Sequence, residues 1–209
     1  MNKHQSTPLP GELIESALDA DPIIQFQRWY KDAIDGGIPQ ADAMTLATAT
    51  KEGKPSARIV LMKMVDARGF TFYTNYQSRK GRELAENPRA ALIFYWEAVG
   101  RQVRIEGAVE KIPAAESDAY FNGRPLENKL SSLASPQSEP VTREELDERY
   151  EELKRYYAKA TVPRPEHWGG YRVYPEGMEF WQRRFARLND RVAYERRKDG
   201  SWKITRLAP

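Results

Sequence analysis

Residues 101–112 read RQVRIEGAVEKI. Val103, Ile105 and then Ala108 alternate with polar neighbours, the period-2 pattern of a strand with one face in a core. Gly107 interrupts the run, and a glycine inside a strand marks a bulge or the tight bend of a barrel. Toward the N-terminus, RAALIFYW (89–96) reads as a buried strand and FTFYTN (70–75) as another. MTLATAT (44–50) and SARIVLMKMVD (56–66) form a pair joined through the turn KEGKP. Toward the C-terminus, strand patterns return in YRVYP, GMEFWQ, RVAYERR and SWKITRL, with Asp199-Gly200 as a hairpin turn.

Helices are fewer and lie between these runs. Asp21-Pro22 is an N-cap followed by a first-turn proline, and IIQFQRWYKDAI then shows helical spacing up to Gly36-Gly37. A short helix starts at Ser78 and closes at Asn87-Pro88, and another runs from Pro113 through Phe121. Residues 131–140, SSLASPQSEP, read as a Ser/Pro-rich loop. Thr142 and Glu145 form a capping box that opens a long charged helix to about Lys159. Many short strands with few helices predict a mainly β fold, an antiparallel barrel with peripheral α-helices. The expected organisation is a mobile polar leader over residues 1–20 and a single domain over 21–209.

The 209 residues carry 40% hydrophobic and 30% charged side chains, an ordinary globular balance. No apolar run is long enough to span a membrane, and the N-terminus lacks the apolar core of a secretory signal. The expected location is cytoplasmic. The absence of cysteine excludes disulfides, thiolate metal sites and cysteine nucleophiles. With only His4 and His167, neither a histidine metal site nor a Ser-His-Asp triad is expected. Chemistry therefore falls to a cofactor, or to Arg, Lys, Tyr and carboxylates. The 33 Lys+Arg stand against 30 Asp+Glu, but the basic residues lie singly within strand patterns. That favours discrete anion pockets over a nucleic-acid track.

Several clusters could form such pockets. Arg58 and Lys63 lie five apart, so an unbroken strand points them to opposite faces unless a bulge intervenes. Ser78, Arg79 and Lys80 stand at a helix start, where free N–H groups favour an anion and basic side chains oppose the dipole unless one binds. Tyr120 and Arg124 flank a helix end, and Gln137-Ser138 lie in a loop. In EFWQRRFARLNDR (179–191), Phe180 and Trp181 are core aromatics, while Arg187, Asn189 and Arg191 are expected side by side on one face of an extended segment. No Walker or GxGxxG pattern is present.

In this order RIVLMK, FYTNYQSRKGREL, NPRAALIFYW, RQVRIEG, YFNGRP, SPQSE, HWGGYRVYP, MEFWQ and RLNDR resemble the pyridoxine/pyridoxamine 5′-phosphate oxidase family, from about Asp21 to the terminal RLAP. The resemblance implies a homodimeric split β-barrel with FMN at the subunit interface. It implies cofactor contacts from Arg58, Ile59, Val60, Leu61, Lys63, Tyr73, Thr74, Arg79, Lys80, Gln102, Gln137, Ser138, Trp181 and Arg191. It implies substrate contacts from Lys63, Tyr120, Arg124, Asn128, Arg187 and Asn189, with Arg187 and Asn189 closest to the chemistry. The implied reaction oxidises pyridoxamine or pyridoxine 5′-phosphate to pyridoxal 5′-phosphate, with O₂ as acceptor and H₂O₂ as product. Asn189 stands where the family usually has His, Asn128 where it usually has Ser, and RRFA (183–186) where a Gly-containing loop is usual. A paralogous oxidase of another cyclic substrate and a non-catalytic FMN- or pyridoxal-phosphate-binding protein are the alternatives.

Overall fold

Strand β6 (Arg101–Lys111) lies at the centre of the sheet, paired with β5 (Arg89–Trp96) on one side and β7 (Trp168–Gln182) on the other. The computed structural model describes residues 11–209. Its remaining strands are β1 (Ala43–Ala49), β2 (Pro55–Leu61), β3 (Met64–Asp66), β4 (Gly69–Asn75), β8 (Asp190–Arg196) and β9 (Trp202–Arg206). The order is β2-β1-β5-β6-β7-β4-β3, and β8 also pairs with β7 and carries β9. β7 is long enough to branch the sheet: residues 168–173 pair with β4, while 177–182 pair with β8. Every pairing is antiparallel, and the sheet curls into a split barrel.

The bend sits where the sequence placed it. The β6–β7 register shifts between Glu106 and Gly107, opposite Pro175 and Gly177. A Cβ on Gly107 would lie 1.9 Å from the Tyr174 carbonyl oxygen, so only glycine fits this close approach. YRVYP and GMEFWQ are one strand, because Pro175, which lacks an N–H, falls at the irregularity where no ladder bond is needed.

The α-helices are α1 (Pro22–Asp35), α2 (Arg79–Glu86), α3 (Ala114–Asn122), α4 (Leu126–Ala134) and α5 (Arg143–Tyr156). Asp21 caps α1 through the Ile23 N–H, with Pro22 in the first turn. α1 closes the core from one side. Phe26 meets Phe70 and Phe94 edge-on, each at 4.8 Å, and Trp29 meets Phe180 at 5.1 Å. Burying each such ring contributes about 1.5–3 kcal/mol. A smaller cluster of Phe121, Leu130, Val162 and Trp168 packs beneath α3, α4 and α5.

Three expectations need correction. The run 56–66 is broken at Met62-Lys63, where the Met62 N–H turns to Asp42 O and the Lys63 N–H to Thr71 O. Residues 131–134 belong to α4 rather than a loop, because Leu130 and Ala134 at i, i+4 bury one helical face. The leader is tied down from residue 11 onward: Leu13 is buried and its N–H donates to Asp190 Oδ2 at 3.1 Å. Arg206 pairs there with Glu15 at 2.7 Å. Residues 1–10, the rest of the expected leader, lie outside the described residues.

Candidate active-site cleft

A cleft of about 1060 Å³ opens between β2, the end of β4, the start of α2, and the helices α3, α4 and α5. β2 is an edge strand, pairing only with β1 among the described residues, so its outer backbone groups face open space. Unpaired strand N–H and C=O groups can hydrogen-bond a planar heterocycle laid along them.

The break at Met62-Lys63 decides the question the sequence left open. Arg58 and Lys63 both line this one cleft. Lys63 pairs with Asp42 at 3.0 Å.

The basic pocket is built at the N-terminus of α2. Ser78 caps the helix: its hydroxyl accepts from the Gly81 N–H at 3.3 Å and donates to Asn75 O at 2.7 Å. Ser138 Oγ accepts from the Arg79 N–H at 3.1 Å, which ties the 135–142 loop to the helix start. Lys80 is 7% exposed, with Nζ donating to Thr74 Oγ1 at 3.2 Å, Ser78 Oγ at 3.3 Å and Gln137 Oε1 at 3.4 Å. Burial, helped by the nearby Arg58 charge, lowers its pKa to about 8. A buried ammonium surrounded by neutral oxygens, at a helix N-terminus and beside two arginines, is a site prepared for an anion.

The other wall is aromatic. Tyr73 and Tyr120 stack at 3.8 Å and Tyr73 and Trp168 at 5.4 Å, while the Arg124 guanidinium lies 4.6 Å over the Trp168 ring. Desolvation raises the Tyr73 pKa to about 12, with a further contribution from Tyr120, so its phenol stays protonated as a donor. Arg124 Nη1 donates to Ser132 Oγ at 2.8 Å. Ser132 also lines the cleft, and nothing in the sequence marks a serine eight residues beyond an arginine.

Thirteen of the residues singled out in the sequence line the cleft: Arg58, Ile59, Val60, Leu61, Lys63, Tyr73, Thr74, Arg79, Lys80, Tyr120, Arg124, Gln137 and Ser138. The others lie elsewhere in the protomer. Gln102, Trp181 and Arg191 are register neighbours across β6, β7 and β8. Glu179 Oε1 accepts from Arg191 Nε at 2.9 Å, and its Oε2 accepts from Arg191 Nη2 at 3.0 Å and pairs with Arg104 at 3.1 Å. Asn128 is exposed on α4, outside the cleft lining.

Arg187 and Asn189 do not share a strand face. Ala186 and Arg187 adopt left-handed backbone, with φ of 54° and 62°, and form a turn that leaves Arg187 exposed. Asn189 Oδ1 instead accepts from the Arg184 N–H at 3.0 Å. The extended reading failed because the segment must reverse between β7 and β8, which pair with each other up to Gln182 and Asp190.

Residues 30–182 match the family model described as pyridoxamine 5′-phosphate oxidase. Residues 168–209 match the model described as the pyridoxine 5′-phosphate oxidase C-terminal dimerisation region. The chain belongs to the pyridoxamine 5′-phosphate oxidase family. It is 53% identical over 200 residues to the pyridoxine/pyridoxamine 5′-phosphate oxidase of Cupriavidus pinatubonensis, covering 95% of this chain and 94% of that one. It is equally 53% identical over 198 residues to the enzyme of the same name from Nostoc punctiforme, covering 94% and 92%. Among solved structures, PhzG from Burkholderia lata, in complex with tetrahydrophenazine-1-carboxylic acid, aligns with a TM-score of 0.89 at 36% identity, covering 95% of this chain and 98% of that chain. A pyridoxamine 5′-phosphate oxidase-related FMN-binding protein from Nostoc punctiforme shares the fold, with a TM-score of 0.73 at 16% identity over 88% of this chain and 97% of that one.

Proposed function

We propose that this protein is an FMN-dependent oxidase that converts pyridoxamine or pyridoxine 5′-phosphate to pyridoxal 5′-phosphate, reducing O₂ to H₂O₂. The observation that carries the reading is the cleft itself. A buried Lys80 at a helix N-terminus, with Arg58 and Arg79 alongside, suits a phosphate, and the edge strand β2 suits a flat ring beside it. FMN has both parts, and the donor set fits it.

FMN supplies acceptance of a hydride from the substrate and reoxidation by O₂. The chain's residues bind and orient. Lys80, Arg79, Arg58 and Ser138 hold the cofactor phosphate by charge-assisted hydrogen bonds, and Thr74 and Gln137 direct the Lys80 ammonium. The β2 backbone from Ile59 to Leu61, which lines the cleft on an edge strand, would border the ring. Lys63, Tyr120 and Arg124 hold the phosphate of the substrate, with Arg124 kept flat by Trp168 and Ser132. Holding both partners in one cleft converts an encounter into an oriented reaction. With pyridoxine 5′-phosphate the alcohol loses two hydrogens; with pyridoxamine 5′-phosphate the resulting imine takes up water and releases ammonia.

Gln102, Trp181, Arg191, Arg187 and Asn189 complete the site from a second copy. They lie away from the cleft of their own protomer, and all but Gln102 lie in the segment that matches the dimerisation region. Phe185 and Leu188, which flank Arg187, are 83% and 70% exposed, a placement that suits insertion against a partner.

The test is the visible spectrum of the purified protein before and after anaerobic addition of pyridoxine 5′-phosphate. A two-band flavin spectrum that bleaches, then returns in air with pyridoxal 5′-phosphate formed, is the expected result. A colourless protein that takes up no added FMN would reject the proposal. Asn189 favours a second reading, a paralogous oxidase of another cyclic substrate, because its side chain is committed to the Arg184 backbone and has no imidazole proton to exchange. That reading predicts a bound flavin left unbleached by either B6 phosphate.

A further inference from the structure

Glu83 does not line the cleft, yet it is 4% exposed on α2 and faces β1 and β2. Its Oε2 accepts from the Thr48 hydroxyl at 2.5 Å and the Ser56 hydroxyl at 2.6 Å. Its Oε1 accepts from Arg79 Nε at 2.9 Å. Arg58 reaches the same carboxylate through both hydroxyls and directly. Its Nη1 donates to Thr48 Oγ1 and its Nη2 to Ser56 Oγ, each at 2.5 Å, and Nη2 lies 3.4 Å from Glu83 Oε2. Each hydroxyl therefore accepts from Arg58 and donates its single O–H to the Glu83 carboxylate, so the carboxylate fixes the direction of both hydrogen-bond chains.

We infer that Glu83 is a positioning residue for the cofactor phosphate, clamping Arg58 from β2 and Arg79 from α2 so that both address one anion. This rests on the reading of the cleft as an FMN site. A buried carboxylate near a phosphate also repels it. Here, however, it lies within reach of both guanidiniums, and without it Arg58, Arg79 and Lys80 would repel one another around an unfilled pocket. Burial alone would raise the Glu83 pKa, but the bonds from Ser56, Thr48 and Arg79 and the Arg58 charge hold it at about 2. The clamp is thus ionised throughout the neutral range.

The experiment titrates flavin-free full-length protein with FMN and separately with riboflavin, which lacks the phosphate. The preference for FMN is compared in the wild type, Glu83→Gln, Glu83→Ala and the exposed control Glu86→Gln. A glutamine oxygen can serve the two hydroxyls, but its amide then meets Arg79 Nε donor against donor. The FMN preference should fall about tenfold in Glu83→Gln, the loss of one charge-assisted bond. It should fall further in Glu83→Ala and hold in Glu86→Gln. A general loss of packing would weaken both flavins together and leave the ratio unchanged. A preference that is unchanged or raised in the Glu83 variants, beside a wild type that prefers FMN, overturns the inference alone. A wild type with no preference for FMN overturns the reading of the cleft and this inference with it. Should Glu83→Ala not fold, Glu83→Gln carries the test.

Discussion

The cleft and the turn at 183–191 are both rich in arginine, but they hold it by different means. In the cleft, Arg58 and Arg79 come from a strand and a helix and are locked by a buried carboxylate and two hydroxyls. In the turn, Arg187 sits on left-handed backbone with its side chain exposed. Left-handed backbone costs a non-glycine residue roughly 1 kcal/mol or more, so something must offset it. The Asn189 bond to the Arg184 N–H, the Arg184–Asp190 pair at 3.5 Å and the hold of Arg206 and Leu13 on Asp190 do so. A pocket whose arginines are held by a buried carboxylate of the same chain can be rigid before a ligand arrives. The turn, by contrast, is braced at its base and exposed at its tip.

The largest break in this contrast should come from Lys80→Met, which keeps the bulk of the buried side chain and removes its charge. FMN affinity should fall on the order of a hundredfold, the loss of a charge-assisted contact in a desolvated site. Fluorescence titration measures it, and an affinity within twofold of wild type would remove Lys80 from the phosphate site. Next in size, Phe26→Ala should cost about 3–5 kcal/mol of unfolding free energy in urea, because α1 anchors the core through that ring. A loss under 1 kcal/mol would mean that α1 docks by other contacts.

The pH dependence separates the two regions more finely. The Lys80 pKa is lowered from 10.5 to about 8, so the charged form is disfavoured in the flavin-free fold. The sign follows: this cost to stability is present in full below about 8 and disappears as the pH rises toward 10.5. Phosphate binding runs the other way, since it needs the ammonium. FMN affinity should hold near neutrality and weaken above pH 8, by up to about tenfold per pH unit. The inflection should vanish in Lys80→Arg, and a profile flat to pH 10 in the wild type would show that Lys80 does not titrate there.

The turn should respond more weakly. Asn189→Ala removes one part-buried bond and should lower stability by about 1 kcal/mol, leaving FMN affinity in place while KM for the substrate rises. A fall in FMN affinity with unchanged KM would reverse the roles assigned to the two regions. Smallest of all, Ala186→Gly relieves the left-handed strain but frees the unfolded chain, and the two should cancel to within about 1 kcal/mol in a thermal melt.

Local chemistry made much of this legible. The caps at Asp21, Ser78 and Thr142, the bend at Gly107 and the alternation along 101–112 each depend on residues close together in the chain, and each stands in the structure. The motif order carried the family and most of the cleft residues. What the sequence could not show depends on distant partners. The break at Met62-Lys63 exists because Asp42 and Thr71 take its backbone N–H groups. Residues 11–17 are ordered because Asp190 and Arg206, near the other end of the chain, hold them. Glu83 looks like any helix glutamate until Thr48, Ser56 and Arg58 are folded onto it. The sequence determined the elements, their caps and the inventory of charge. Only the tertiary structure decided which charges share a pocket, because burial and hydrogen-bond direction are properties of the packed neighbours.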